Sequence, residues 1–122
     1  MKNVKTVTRQ ELKQSIDSGE NIAIVEALPE QSFQEGHIPG AIRLQADKVK
    51  TEAESLLPDK QQKIITYCGG ISCNASKKTA EALTELGYAN VSAYEAGKED
   101  WTNAGLPLEG AKAGGQRRTA SA

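Results

Sequence analysis

The sequence predicts a single α/β domain built on an open, mostly parallel β-sheet with helices on both of its faces. Its 122 residues suit one domain. Short apolar runs, such as residues 22–25 and 63–68, alternate along the chain with segments of helical spacing. Strands that alternate with helices are typical of this fold class, because successive parallel strands need a crossover connection that is usually a helix.

The first half of the chain contains three of the predicted strands. Residues 4–7 are predicted to form a short edge strand. Thr8 and Glu11 form a capping-box pattern that opens the first helix, and Gly19 is placed to end it. The other elements of this half are a buried strand over 21–26, a short helix over 29–34, a turn-rich segment over 35–41, a strand over 41–44 and a helix over 47–57.

The second half contains the clearest buried strand, over residues 63–68, which ends at Cys68. A helix over 74–86, a strand over 91–94 and a short helix over 100–104 are predicted to follow. From about Glu109 the chain is rich in Gly, Ala and polar residues and cannot bury enough apolar surface to stay ordered. We therefore predict a folded domain over residues 1–109 and a disordered tail over 110–122.

Composition and charge exclude several classes of function. The chain is 38% hydrophobic and 25% charged, with a formal net charge of -1. A nucleic-acid-binding face would need clustered basic residues, and no apolar run approaches the ~20 residues of a membrane span. The amino-terminal residues lack the apolar stretch of a signal peptide. We expect a cytoplasmic protein that binds neither nucleic acid nor membrane.

Cys68 is the strongest candidate for a chemically active residue. It ends the clearest strand and is followed by Gly69 and Gly70 and then by a helix. Backbone N–H groups converge in a strand–loop–helix arrangement, and the helix N-terminus stabilises negative charge there. A thiol so placed should ionise more easily, and the thiolate is the nucleophilic form of cysteine. The alternative is that Cys68 is only a small buried apolar side chain.

Four segments of the sequence resemble the rhodanese family in their order and spacing. They are Glu35-Gly36-His37-Ile38-Pro39-Gly40-Ala41, Ile64-Ile65-Thr66-Tyr67-Cys68, Leu83-Thr84-Glu85-Leu86-Gly87-Tyr88-Ala89-Asn90-Val91 and Ala96-Gly97-Lys98-Glu99-Asp100-Trp101 with Ala104-Gly105-Leu106-Pro107. The resemblance covers roughly residues 4–108. It implies a five-stranded parallel sheet flanked by helices, and an enzyme that transfers sulfane sulfur through a cysteine persulfide to a thiol acceptor.

By this resemblance Cys68 is the sulfur carrier, and the loop that follows holds the persulfide. The backbone N–H groups of residues 69–73 would surround the anionic sulfur. The substrate-binding residues implied are Gly69, Gly70, Ile71, Ser72 and Asn74. A persulfide anion needs clustered donors and little bulk, which agrees with the glycines. The resemblance also makes His37 part of a structural turn.

The sequence departs from the family pattern at two positions. The family usually has Arg at the sixth loop position, where this chain has Cys73, and often has Asp-x-Arg after the second strand, where this chain has Glu26-Ala27-Leu28. Both changes remove positive charge and argue against efficient use of the thiosulfate dianion. The six-residue loop without Arg also argues against a phosphatase, because recognition of a tetrahedral anion favours Arg.

Cys73 has three interpretations. It could be a thiol that resolves a Cys68 persulfide by forming a disulfide, an inert residue that fills the Arg site, or a metal ligand together with Cys68. The metal interpretation is the weakest, because zinc needs four ligands and the chain has one histidine.

Three functions follow from these residues. The first is a sulfurtransferase that uses a small sulfur donor and a thiol acceptor, with Cys68 and Cys73 as the catalytic residues. The second is a dithiol redox protein that cycles a Cys68–Cys73 disulfide, and the third is a catalytically silent rhodanese-like binding module. No cofactor or metal is implied, because the carried sulfur is covalently bound. The sequence identifies no partner protein.

Overall fold

The computed structural model describes residues 4–110. A five-stranded parallel sheet lies at the centre of the domain. The strands in this range are β1 Lys5–Thr6, β2 Ile22–Glu26, β3 Ile42–Arg43, β4 Lys63–Tyr67 and β5 Asn90–Tyr94. They lie in the order β1-β5-β4-β2-β3, and every pair is parallel. β4 pairs along its whole length with β2 and with β5, so it is the central strand. The fold class predicted from the sequence is confirmed.

Helices connect the strands. Within residues 4–110 they are α1 Arg9–Asp17, α2 Glu30–Glu35, a 3₁₀ helix Ala46–Lys48, α3 Val49–Leu56, α4 Ala75–Glu85 and α5 Gly97–Asn103. The predicted capping box opens α1, since the Glu11 N–H donates to Thr8 Oγ1 at 3.1 Å and the Thr8 N–H donates to Glu11 Oε1 at 2.8 Å. None of these helices has the length and apolar character needed to cross a bilayer.

Two predicted helices differ from those observed. The helix expected over 47–57 begins with the 3₁₀ turn and becomes α-helical at Val49. The helix expected over 100–104 begins three residues earlier, at Gly97. Its first turn bonds to the loop after β4, a contact between distant parts of the chain that a local pattern does not contain. The tail predicted over 110–122 lies, apart from Gly110, outside the described residues.

The sheet has a core on each face, because successive side chains of a strand point to opposite sides. Ile65 and Tyr67 of β4 pack on the face covered by α1 and α5, and Ile64 packs on the face covered by α3 and α4. Trp101 of α5 belongs to the first core and is 1% exposed. The two cores fix β4 between the helices and thereby fix the position of the residue that follows it.

Candidate active site

Cys68 follows directly after β4, at the carboxyl edge of the sheet. Because β4 is the central strand, Cys68 lies at the middle of that edge, where ligands of open α/β sheets bind. Its side chain is 0% exposed. The chain then turns sharply, and α4 begins at Ala75 with Asn74 as its N-cap. The structure therefore contains the strand–loop–helix arrangement on which the choice of Cys68 depended.

Cys73 is joined to Cys68 by a disulfide bond in this structure. The two Cα atoms are 6.4 Å apart, within the range that a disulfide spans. Cys68 is buried, Cys73 is partly exposed, and Ile71 between them is 75% exposed at the tip of the loop. Neither sulfur of the bridge is a thiolate, so nucleophilic chemistry at Cys68 requires the reduced pair.

The first turn of α5 is hydrogen-bonded to the start of the loop that follows β4. The Lys98 N–H donates to the Cys68 carbonyl at 2.8 Å, and the Glu99 N–H donates to the Gly69 carbonyl at 2.8 Å. The first amides of a helix have no partner within the helix, so they are available for such bonds. α5 thus fixes two consecutive peptide units immediately after the end of β4.

Gly97 allows α5 to approach the loop this closely. A Cβ atom at Gly97 would collide with the Cys68 carbonyl oxygen and would lie 2.9 Å from the Gly70 nitrogen. The Gly97 φ angle is +66°, a conformation that side-chain-bearing residues rarely adopt. The position requires glycine for both reasons.

The bonds to α5 also orient the loop amides. A trans peptide places its C=O and the following N–H on opposite sides. Since the Cys68 and Gly69 carbonyls point to α5, the N–H groups of Gly69 and Gly70 point away from it. The Cys73 N–H donates to the Gly70 carbonyl at 3.0 Å and so closes a turn within the loop. In this disulfide-bonded state, the Cys73 amide is therefore already engaged.

The amino-terminal end of α4 brings further polar groups to the edge of the sheet. The exposed Asn74 side chain makes no capping hydrogen bond. Thr66 of β4 donates its hydroxyl to the Ser76 carbonyl at 2.9 Å, which ties the first turn of α4 to the strand before Cys68. Ser76 is fully buried, and its own hydroxyl has no hydrogen-bond partner among the described residues.

A buried ionic network lies at the carboxyl ends of β2 and β4, on the face of the sheet that α5 covers. The Glu26 side chain is 0% exposed and accepts hydrogen bonds from the Tyr67 hydroxyl at 2.6 Å and from Lys98 Nζ at 3.1 Å. Lys98 Nζ also donates to the carbonyls of Ser32 at 3.0 Å and Gly36 at 2.7 Å. Burial, together with the Glu26 charge and hydrogen bond, raises the Tyr67 pKa far above its ordinary value. The network ties β2, β4, α2 and α5 together.

This network changes the interpretation of the second departure from the family pattern. From the sequence, Glu26-Ala27-Leu28 indicates a site that has lost a cation. The structure shows that a cation does reach the Glu26 carboxylate, but that it comes from Lys98, 72 residues later. The Lys98 charge is compensated by Glu26 and does not face the loop as a free cation.

The lysines of α4 supply little additional positive charge. Lys77 forms an ion pair with Glu95 at 3.1 Å, and Lys78 is exposed. Within residues 4–110, no three His, Cys, Asp or Glu side chains cluster as a metal site would require.

His37 and Trp101 have structural surroundings. The His37 ring stacks on Phe33 with centroids 3.9 Å apart, and its Nδ1 lies 3.0 Å from the Phe33 carbonyl oxygen. The His37 backbone pairs with that of Glu109 through two hydrogen bonds of 2.7 Å. Trp101 Nε1 donates to the Pro107 carbonyl at 2.8 Å. These contacts agree with the expectation that His37 belongs to a turn.

Comparison with known proteins agrees with this fold. The family model of the rhodanese-like domain matches residues 8–104 of this chain. A crystal structure of the BH2092 protein from Bacillus halodurans superposes with a TM-score of 0.81 at 30% identity, covering 88% of this chain and 78% of that one. The chain belongs to the rhodanese-like domain family.

Two curated relatives show the range of proteins that contain this domain. The chain is 32% identical over 109 residues to the HTH-type transcriptional regulator Rv0324 of Mycobacterium tuberculosis, covering 88% of this chain and 46% of that protein. It is 34% identical over 67 residues to the thiosulfate sulfurtransferase PspE of Escherichia coli, covering 52% of this chain and 59% of that protein. The chain thus spans about half the length of these relatives.

Sequence reasoning located the loop but missed its support. Cys68, Cys73 and the glycines between them lie together as expected, because they are neighbours in sequence. Lys98 and Glu99, whose backbone amides bind the loop carbonyls, and Glu26, which pairs with Lys98, are distant from one another or from the loop in sequence and were not predicted. A local signal was available at Gly97, a glycine that lies three residues before the helix predicted over 100–104.

Proposed function

We propose that this chain is a sulfurtransferase in which Cys68 takes a sulfane sulfur from a donor and passes it, as a persulfide, to a thiol acceptor. The observation that carries the proposal is the position of Cys68 at the centre of the carboxyl edge, followed by a loop of small residues and the start of α4. Relatives named as sulfurtransferases support the same class of reaction.

The reaction begins with the reduced cysteine pair, which a thiol reductant generates from the bridge. The Cys68 thiolate attacks the outer sulfur of a donor R–S–SH. The bond between that sulfur and the donor breaks, the donor leaves as a thiolate, and Cys68 becomes a persulfide. An acceptor thiolate then attacks the terminal sulfur, and Cys68 leaves as a thiolate again.

The loop supports this chemistry through its backbone. The Gly69 and Gly70 amides point away from α5, and neither donates to a backbone carbonyl within residues 4–110. Gly69 has nothing within 4 Å of a Cβ built on it, so there is room beside the loop. We propose that these amides, with those of Ile71, Ser72 and Asn74, hold the persulfide anion at the start of α4.

The test is sulfur loading of the reduced protein, followed by intact mass and peptide mapping. We expect one added sulfur on Cys68, and none in Cys68→Ser, which should keep its circular dichroism spectrum because Ser is close to Cys in size. Cys73→Ser is the matched control and should still load. Loading of Cys68→Ser would refute the assignment. A wild-type chain that neither gains sulfur nor forms the Cys68–Cys73 bridge with release of sulfide would favour a silent binding module.

A second activity is favoured by the Cα separation of 6.4 Å between Cys68 and Cys73. We propose that the Cys73 thiol attacks the inner sulfur of the Cys68 persulfide. The terminal sulfur then leaves as hydrosulfide, and the disulfide seen in this structure forms. Two cysteine thiols are oxidised, one sulfane sulfur is reduced, and an external thiol must reopen the bridge.

Sulfide release without an added acceptor tests this second activity. The loaded wild-type chain should release about one sulfide per persulfide and become bridged. Cys73→Ser should keep its persulfide until an acceptor thiol is added. Equal sulfide release from both proteins would show that Cys73 is not the resolving thiol.

A further inference from the structure

The loop after Cys68 carries a carboxylate on its surface. A Cβ built on Gly70 would lie 2.6 Å from Glu99 Oε1, so the Glu99 carboxylate packs against the Gly70 backbone. The Glu99 backbone is fixed in this position, because its N–H donates to the Gly69 carbonyl at 2.8 Å. Glu99 thus contacts the two residues that directly follow Cys68.

Nearby cations do not neutralise this carboxylate. Lys98 Nζ is bound to Glu26, Lys77 is paired with Glu95 at 3.1 Å, and Arg9 is paired with Asp100 at 2.9 Å. Within residues 4–110, the Glu99 carboxylate has no hydrogen bond or ion pair. Each of these three cations thus has its own carboxylate, and the Glu99 charge is left over.

One cation of α4, Lys78, is also unpaired among the described residues, but its side chain makes no bond to the loop. Lys78 is exposed, and its side chain makes no hydrogen bond or ion pair within the described residues. Only its backbone is tied to the end of the loop, through the N–H bond to the Asn74 carbonyl at 3.1 Å. The charged side chain in contact with the loop itself is therefore negative.

We infer that Glu99 determines which sulfur donors the site accepts. The inference deepens the proposed function and rests on it. The Glu99 carboxylate selects against dianionic donors such as thiosulfate and favours donors with at most one negative charge, namely hydropersulfides of small or protein thiols. The side chain acts on the approach of the donor and takes no part in bond making.

The physical basis is that Coulomb repulsion grows with the charge of the donor. Cys68 attacks the outer sulfur of thiosulfate with loss of sulfite, and the outer sulfur of a hydropersulfide with loss of a thiolate. Thiosulfate brings two negative charges to the loop that Glu99 contacts, and a hydropersulfide whose other charges cancel, such as that of cysteine, brings one or none. Removing the Glu99 charge should raise the rate with thiosulfate by about five- to tenfold at low salt, and the rate with a monoanion by about the square root of that factor.

The experiment compares Glu99→Gln with the wild-type chain, using thiosulfate and cysteine persulfide, which carries one net negative charge, as donors. The reduced full-length protein is mixed with each donor, and the loss of reduced Cys68 is followed by mass spectrometry, counting persulfide and bridged forms together. Glu85→Gln is the matched control, since Glu85 is an exposed glutamate at the far end of α4. Each rate is measured at low salt and at about 0.3 M salt.

We expect Glu99→Gln to gain about five- to tenfold with thiosulfate and two- to threefold with the persulfide. Salt should reduce both gains, and Glu85→Gln should change neither rate by more than about 1.5-fold. An unchanged donor ratio in Glu99→Gln, or an equal gain in Glu85→Gln, overturns the inference and leaves the proposed function standing. If neither donor reacts with Cys68 in any of the three proteins, both are overturned.

Discussion

Replacing Lys98 with methionine should destabilise the domain strongly, because it leaves a buried charge without its partner. The Glu26 side chain is 0% exposed, and that of Lys98 is 16% exposed. Breaking a buried ion pair by removing one partner costs about 3–5 kcal/mol. Glu26 keeps the 2.6 Å bond from Tyr67, so we take the lower end, about 3 kcal/mol.

This loss of about 3 kcal/mol is large compared with the total free energy of unfolding of a small domain, which is about 5–15 kcal/mol. At about 4 °C per kcal/mol for a domain of this size, the melting temperature should fall by about 12 °C. Urea unfolding followed by the fluorescence of Trp101, the chain's one tryptophan, measures the change.

Two further variants separate the lost ion pair from other effects. Lys78→Met removes an exposed lysine and should change the free energy of unfolding by less than about 0.5 kcal/mol. Glu26→Gln combined with Lys98→Met removes the unpaired charge and should recover more than half of the loss. A cost below about 1 kcal/mol for Lys98→Met, or a double variant no more stable than the single one, would refute this reasoning.

Three other predictions follow from the site. Gly97→Ala should lower the free energy of unfolding by about 2–4 kcal/mol and slow sulfur loading. In Gly69→Ala the added methyl group has open space, so its urea midpoint should lie much closer to that of the wild type. Burial, and after it the neighbouring carboxylate, raises the pKa of Tyr67 and of Tyr94. The free energy of unfolding that these two neutral hydroxyls contribute is therefore fully present below about pH 10 and is lost as the pH rises further. Phenolate absorbance should appear only with unfolding, and titration of both groups in the folded protein would contradict this prediction. Cys73→Arg should raise the rate with thiosulfate by restoring a cation in the loop, and an unchanged rate would show that the missing charge does not limit donor use.

Sequence patterns predicted the features of this domain that depend on neighbouring residues. The capping box of α1 spans four residues, and both of its hydrogen bonds form as predicted. The apolar run before Cys68 became the central strand because only a strand covered on both faces tolerates such a run. Strand, loop and helix are consecutive, so the position of Cys68 could be predicted without knowledge of the rest of the fold.

The support of the loop depends on contacts that no local pattern contains. Lys98 meets Glu26 across 72 residues, and the burial of that pair depends on how α5 packs against β4. Considered alone, Lys98 and Glu99 are ordinary charged residues at the start of a short helix. Their roles became visible only when the fold placed the first turn of α5 against the carbonyls of Cys68 and Gly69.

The central claim is that Cys68 carries the sulfur, and intact mass with peptide mapping tests it most directly. The reduced full-length chain is exposed briefly to a hydropersulfide and, separately, to thiosulfate, and the products are alkylated and mapped. The account predicts one added sulfur on Cys68, or a Cys68–Cys73 bridge accompanied by released sulfide, with the hydropersulfide reacting faster. Added sulfur on Cys73 with Cys68 unmodified, or no reaction with either donor, would contradict it.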